Sequence, residues 1–554
     1  MRHGGQILVD HLKAEGIRRV FSVPGESFLA ALDGLHDSGI QTITCRHEGG
    51  AAMMAEAHAK LTGDVGIAFV TRGPGATNAS SGIHIARQDS TPMILFVGQI
   101  DTAHRDREAF QEVDYRAVFG PLAKWAAEVD DIRRLPEYLS RAFHIAQSGR
   151  PGPVVLALPE NMLSARADVP DLPPRREPVA APSDPQLAAI WAALKTAKRP
   201  LVVVGGPHWS TQAASDIAEF ASATGLPIAV TFRRQDRIDN RHAHYVGDLG
   251  VGMNPKLGQR LRDADCLLLL GTRLGDTATN GYDLIDPAAP GKTILHIHPD
   301  PDEAGHVWRP DLAITATAPA MVAALKTSVP QGLPDWSDWT QAANADYRAF
   351  SQPRETPGAV KLETVMRWLS DNVPEDAIAT NGAGNYAAWM HRYFRPRAWP
   401  GQLAPTSGSM GYGFPAAIAA SLEHPGKTVL CFAGDGCFQM TLNELSTARQ
   451  YGATPIVILA NNGRYGTIRM HQERHYPARV SGTDLFNPDY AALARAYGGH
   501  GETVRSTADF AAAFARAQAA GTVAIIELVL DSEALAPGQE LSAARTQGER
   551  TQST

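Results

Sequence analysis

Cysteine is scarce in this 554-residue chain: Cys45, Cys266, Cys431 and Cys437 are the only four, and no two form a CxxC pair. So few cannot staple a chain this long, and they offer neither a zinc-ribbon nor a dithiol motif, so a reducing, cytoplasmic setting is expected. Long apolar runs are also missing. No stretch reaches the roughly 18 residues that a membrane-spanning helix requires. The opening MRHGGQILVDHLKAEG sets Asp10, Lys13 and Glu15 where a secretory leader would carry its apolar core, so no membrane partner is expected. Charge of one sign never accumulates: 51 Lys+Arg face 58 Asp+Glu, a net charge of −7. Without a basic stripe to neutralise phosphates, nucleic acid is not an expected partner.

What remains is ordinary globular composition, 44% apolar and 20% charged, in a chain long enough for about three to four domains. Ile7, Leu8 and Leu12 stand at helical spacing before Gly16. Short apolar runs punctuated by Gly or Pro then recur at 19–23, 67–71, 93–98, 153–158, 201–205, 266–271, 293–297, 428–432 and 456–460. Separated by Ala-rich helical stretches, they predict buried parallel strands of α/β units. A Pro-rich seam at 169–185 and a second at 329–358 break this rhythm. The expected organisation is a first domain at 1–165, a linker at 166–185, a central domain at 186–328, a linker at 329–357, a third domain at 358–535 and a frayed polar tail at 536–554.

The most specific signal lies in the third block. The run 428–432 leads into Gly434-Asp435-Gly436, and the run 456–460 leads into Asn461-Asn462, with 24 residues between Gly436 and Asn461. Alone, GDG is an ordinary turn. Two strand ends presenting an Asp and an Asn at this spacing predict a hard-cation site, since Mg²⁺ takes oxygen ligands completed by phosphate and water, while glycines let backbone N–H groups approach a diphosphate.

With these motifs the chain resembles the thiamine diphosphate-dependent enzymes of the acetolactate synthase-like family, over most of its length. The resemblance implies three Rossmann-like, doubly wound α/β domains: pyrimidine-binding, central and diphosphate-binding. It implies thiamine diphosphate and Mg²⁺ as cofactors, with Asp435, Asn462 and the backbone carbonyl of Arg464 as metal ligands. Arg46-His47-Glu48-Gly49-Gly50-Ala51 is similar to the family's RHE-x-G-A segment, making Glu48 the carboxyl that activates the aminopyrimidine by proton relay. Thr71-Arg72-Gly73-Pro74-Gly75-Ala76-Thr77-Asn78 resembles the TSGPGATN turn, and Asp89-Ser90-Thr91-Pro92 a DSxP pocket-wall segment. The segment 406–413, TSGSMGYG, resembles the loop that bends the cofactor; there Met410 is the wedge and the Gly408 carbonyl the acceptor. Ala109-Phe110-Gln111-Glu112-Val113-Asp114 resembles AFQEVD, which implies that Gln111 orients substrate. Gly73, Asn78, Gly384, Asn385, Gly434, Gly436, Cys437 and Ile468 complete the implied cofactor pocket.

Departures from the family pattern shape the expected activity. Pro24-Gly25-Glu26-Ser27 replaces a PGG segment, and His471 aligns with the tryptophan that selects the acceptor in biosynthetic members. Ile468 stands where pyruvate decarboxylases carry a proton-delivering glutamate, and their His-His pair is absent. The central block's Gly271-Thr272-Arg273-Leu274-Gly275-Asp276 lacks the GARFDDR pattern, and Gly250-Val251-Gly252-Met253 lacks Gly-Met-His-Gly, which weighs against FAD. His47, His296 and His298 form no evident metal set. The expected reaction is decarboxylation of a small-molecule, pyruvate-like 2-oxoacid with carboligation to a second carbonyl. The alternative is a lyase or decarboxylase of a larger 2-oxoacid or 2-hydroxyacyl substrate. The resemblance implies a homodimer or homotetramer in which each site takes Glu48 from one chain and the metal loop from its partner.

Overall fold

The computed structural model describes residues 1–175 and 179–552, and the chain forms two compact units. One comprises Met1–Pro178, Pro405–His424 and Thr441–Ala453; the other comprises Val179–Ala404, Pro425–Met440 and Thr454–Thr554.

The first unit is organised by a six-stranded parallel sheet in the spatial order Gln41–Thr44, Arg19–Ser22, Gly66–Val70, Met93–Gln99, Pro153–Pro159, Trp125–Glu128. Numbered by appearance in this sheet, that order is second, first, third, fourth, sixth, fifth. The three strands Gly66–Val70, Met93–Gln99 and Pro153–Pro159 are buried at every residue, which is why they read as unbroken apolar runs. The Ala-rich helix Glu48–Thr62, closed by Gly63 in the left-handed region, packs against helix Gly413–Glu423. Only small side chains allow two helices so close an approach.

The second unit holds two more six-stranded parallel sheets. One runs Tyr245–Leu249, Ile228–Thr231, Pro200–Val204, Cys266–Leu270, Thr293–His298, Leu312–Thr315, the dinucleotide-fold order 3-2-1-4-5-6. The other runs Gln402–Leu403, Ile378–Asn381, Val429–Gly434, Ile456–Asn461, Ala524–Val529, His500–Val504, and it repeats the strand order of the first unit's sheet. In both of these sheets the winding reverses between the first and third strands. Loops leaving the carboxyl ends of those two strands border a crevice, the usual ligand position in open α/β sheets.

Two segments differ from expectation. The seam at 329–357 contains helix Ser337–Phe350, which buries Thr340, Ala343, Asn344 and Tyr347; Asn344 Nδ2 donates to the Tyr245 carbonyl at 2.7 Å. The polar tail is not frayed. It forms helix Leu541–Gln552, burying Leu541 and Ala544, and Arg545 donates to the buried Glu473 carboxylate at 2.8 and 2.6 Å. Its polarity concealed an ion-paired docking face. The linker's residues 176–178 and the tail's 553–554 lie outside the described residues.

Candidate active site

In the first unit the residues implied by the sequence gather around the turn 71–78. Glu48 is the first residue of helix Glu48–Thr62, and His47 in extended backbone caps that helix by accepting from Gly49 N through Nδ1 at 3.0 Å. Asn78 Nδ2 donates to Glu48 Oε2 at 3.0 Å, so two residues far apart in sequence share one polar contact. Gly73 adopts φ +61° and donates its N–H to Tyr115 Oη at 2.7 Å. A Cβ at Gly73 would lie 2.8 Å from Cβ of Gln111, which is why only glycine fits. Gln111 itself has φ +67°, a left-handed conformation held in place by its surroundings.

Glu444, which sequence reading did not single out, anchors the Arg46-His47-Glu48 turn. Its carboxylate is fully buried and accepts from Arg46 N at 3.1 and 3.2 Å, His47 N at 3.0 Å and Thr447 Oγ1 at 2.6 Å. Burial pushes its carboxyl up from the usual range, against the pull of those donors. The available signal was an acidic residue amid an apolar helical stretch, which periodicity alone does not interpret.

The segment carrying Gly408 and Met410 is tied to the same helix by buried polar groups. Tyr412 Oη donates to Glu56 Oε2 at 2.6 Å, and Thr91 Oγ1 to Glu56 Oε1 at 2.7 Å. Lys60 Nζ lies 2.9 Å from Glu56 and 2.7 Å from Asp89, and Thr406 donates to Asp89 through its backbone N–H, at 2.9 Å, and its hydroxyl. Asp89 of the DSxP segment therefore holds the segment that carries Gly408 and Met410. Gly408 has φ +68°, and Met410 is half-buried.

In the second unit Asp435 follows directly on strand Val429–Gly434. Its carboxylate is 3% exposed; Oδ1 accepts from Gly436 N and Oδ2 from Gly463 N and Asn487 Nδ2, each at 2.8 Å. Burial raises its pKa, and these N–H donors oppose the rise. No salt bridge to Asp435 occurs among the described residues. Asn462 Oδ1 accepts from Arg464 N at 3.3 Å, so Asn462, Gly463 and Arg464 form one tight turn over the carboxylate. Asn487 also donates to Asn461 Oδ1 at 2.8 Å, and Tyr490 Oη donates to the Asp435 carbonyl at 3.3 Å. Asn487 and Tyr490 were not anticipated, because 24 residues lie between Asn462 and Asn487 with no strand among them.

The glycines of this turn are sterically required: a Cβ at Gly436 would lie 2.5 Å from the Tyr465 ring, and one at Gly434 2.9 Å from the Tyr386 ring. Cys437 is buried with its Sγ 3.3 Å from Tyr386 Oη. Gly384, at φ +144°, precedes Asn385, whose N–H donates to Thr467 Oγ1 at 3.0 Å and whose Oδ1 accepts from it at 2.9 Å. Ile468, the next residue, is 54% exposed. Asp435, Asn462, Arg464, Gly384, Asn385 and Ile468 thus all lie at carboxyl ends of strands or on the helix that follows.

Residues 2–118 match the thiamine pyrophosphate enzyme N-terminal TPP binding domain, 187–325 the central domain and 382–528 the C-terminal TPP binding domain. The chain is similar to the acetolactate synthase isozyme 2 large subunit of Escherichia coli K12, 31% identical over 506 residues that cover 91% of each chain. It is similar to the isozyme 3 large subunit of the same organism, 32% identical over 518 residues, covering 90% of this chain and 89% of that one. With the acetolactate synthase large subunit of Corynebacterium glutamicum it shares 32% identity over 519 residues, covering 89% and 81%.

Proposed function

The chain belongs to the thiamine pyrophosphate enzymes, among relatives of the acetolactate synthase type, and from that premise we propose that it decarboxylates a pyruvate-like 2-oxoacid and joins the remaining fragment to a second carbonyl. The observation that carries this reading is the Asp435 site: a buried carboxylate with no protein cation paired to it among the described residues, beside an Asn side chain and free to share a divalent ion with a diphosphate. A lone buried carboxylate is costly unless a charge compensates it, and one carboxylate plus neutral oxygens suits Mg²⁺, which keeps several positions for phosphate and water. Asp435, the Asn462 amide oxygen and the Arg464 carbonyl would hold the metal.

Thiamine diphosphate, when bound, supplies the electron sink that lets a 2-oxoacid lose CO₂ and form a carbon–carbon bond. Glu48 would hold a proton at the aminopyrimidine, with its carboxyl oriented by Asn78. In the first unit Gly73, the Gly408 carbonyl and Met410 would contact the cofactor, and in the second unit Gly384, Asn385, Gly434, Gly436 and Cys437 would do so. Gln111 orients the substrate. Ile468 offers no proton, which favours bond formation with a second carbonyl over release of an aldehyde.

The reading needs no flavin, which remains the less favoured addition. In the central sheet a Cβ at Gly206 would lie 1.9 Å from the Gly271 carbonyl oxygen, a close contact of two backbone segments that accounts for these glycines without a dinucleotide. The working unit in this reading is a homodimer or homotetramer in a reducing cytoplasm. His471 in place of the family's acceptor-selecting tryptophan sustains the second reading, a lyase of a larger 2-oxoacid or 2-hydroxyacyl substrate. Mass spectrometry of products from a panel of 2-oxoacids, with Mg²⁺ and thiamine diphosphate supplied, separates the two. An acetolactate-type product from pyruvate alone supports carboligation, and an aldehyde alone refutes it.

A further inference from the structure

The first unit's sheet has the same strand order as the sheet that carries Asp435, so its topological switch point also lies between its first strand, Arg19–Ser22, and its third, Gly66–Val70. The loops leaving these strands contain Glu26 and Arg72. Both stand at departures from the family pattern, Glu26 within the replaced PGG segment and Arg72 in place of the serine of TSGPGATN. The two departures meet: Arg72 Nη2 donates to Glu26 Oε1 at 3.1 Å, and Nη1 to Glu160 Oε2 at 3.2 Å. Glu160 follows strand Pro153–Pro159.

Arg72 is 7% exposed, while the side chains of Glu26 and Glu160 are 70% and 42% exposed. The cation is buried and its carboxylates face water, which weakens them as the sole reason for burying a guanidinium. Its Nε is buried with no hydrogen-bond partner, and an unmet buried donor on a charged group costs more than a neutral one. Arg72 is also directly followed by Gly73, whose Cβ position meets Gln111. A fork-shaped cation whose buried Nε–H is unmatched and whose two Nη groups are held only by water-facing carboxylates, at a switch point and beside Gln111, matches a carboxylate in shape and charge.

We propose that Arg72 is a specificity-determining residue that binds the carboxylate of the 2-oxoacid substrate, with Glu26 competing for the same guanidinium. This rests on the functional reading above. Oxamate, an unreactive carboxylate analogue of a 2-oxoacid, and its neutral counterpart oxamide are the probes, titrated calorimetrically into the Mg²⁺- and thiamine diphosphate-loaded enzyme. Arg72→Met weakens oxamate binding about 10- to 100-fold, the scale of a lost charge-assisted pair, and leaves oxamide unchanged. The KM for pyruvate rises in parallel while kcat moves much less. Arg72→Lys restores part of the oxamate affinity.

Glu26→Gln, at an exposed position that tolerates substitution, gives the opposite sign. Removing the competing carboxylate tightens oxamate binding about two- to tenfold. If Arg72 only ties two loops together, Glu26→Gln loosens the site and weakens both probes alike, which overturns the assignment. So does an Arg72→Met enzyme that binds oxamate as tightly as wild type. Wild-type enzyme that turns over no 2-oxoacid defeats the functional reading, and this assignment with it; the Arg72 and Glu26 outcomes in an active enzyme defeat the assignment alone.

Discussion

Glu444→Gln tests how the Glu48 turn is held. The substitution preserves volume but replaces one acceptor oxygen with an NH₂ that faces donors. The wild-type carboxylate serves Arg46 N, His47 N and Thr447 Oγ1; the amide oxygen cannot serve all three. At least one charge-assisted bond is lost, about 1.5–3 kcal/mol, and one buried N–H is left unpaired, about 1–3 kcal/mol. Against this, Gln carries no charge, and burial already disfavours the charged form of Glu444, so part of the loss is recovered. The net expectation is about 2–3 kcal/mol of local destabilisation, or about 30- to 150-fold at 1.36 kcal/mol per tenfold change. Hydrogen exchange followed by mass spectrometry on a peptide spanning residues 44–52 reads it directly, because local opening controls exchange there. Exchange at Arg46 and His47 accelerates by that factor, while peptides in strand Pro153–Pro159 keep wild-type rates. If the 44–52 peptide exchanges as slowly as in wild type, Glu444 is not what holds the turn.

Other expectations follow from the same geometry. Glu48→Gln retains the cofactor but slows hydrogen–deuterium exchange at its C2 position by about 10²–10⁴-fold; unchanged exchange removes Glu48 from proton relay. Asp435→Ala abolishes Mg²⁺-dependent retention of thiamine diphosphate, measured by equilibrium dialysis, and wild-type retention would show the ligand assignment to be wrong. His11 is 4% exposed and burial pushes its pKa down to about 4 from 6.5. A base depressed in the folded state contributes stability that is present above pH 6.5 and lost as the pH falls through 6.5 toward 4, about 3 kcal/mol in all. His11→Phe, beside the Phe143 ring, therefore flattens the fall in melting temperature between pH 6.5 and 4; an unaltered slope contradicts this. Co-refolding equal amounts of Glu48→Ala and Asp435→Ala chains returns roughly a quarter of wild-type activity if each site draws the two groups from different chains of a dimer, and none beyond the single variants if they come from one.

The strands on which the site is mounted were legible because parallel strands buried on both faces must be apolar throughout, a pattern independent of partners. Runs such as 153–158 and 456–460 could hardly be anything else. Gly434-Asp435-Gly436 and Asn461-Asn462 were equally legible: both follow such strands, and their chemistry is carried by residue type at short range. Strand order was not legible, since nothing local in the chain says that Val429–Gly434 neighbours Ile378–Asn381 rather than Gln402–Leu403.

Long-range polar partners were invisible for the same reason. Glu444 reaches the Glu48 turn, Asn487 reaches Asp435, and Arg545 docks the tail on Glu473 only because backbone segments distant in sequence meet in space. A hydrogen bond has no sequence periodicity, whereas burial does. Hydrophobic pattern and short motifs therefore determined the fold class and picked out the residues of the Asp435 and Asn462 turns. The tertiary structure alone decided which buried acids hold which turns, and it brought Glu26 and Arg72, two separate departures from a family pattern, into a single ion pair.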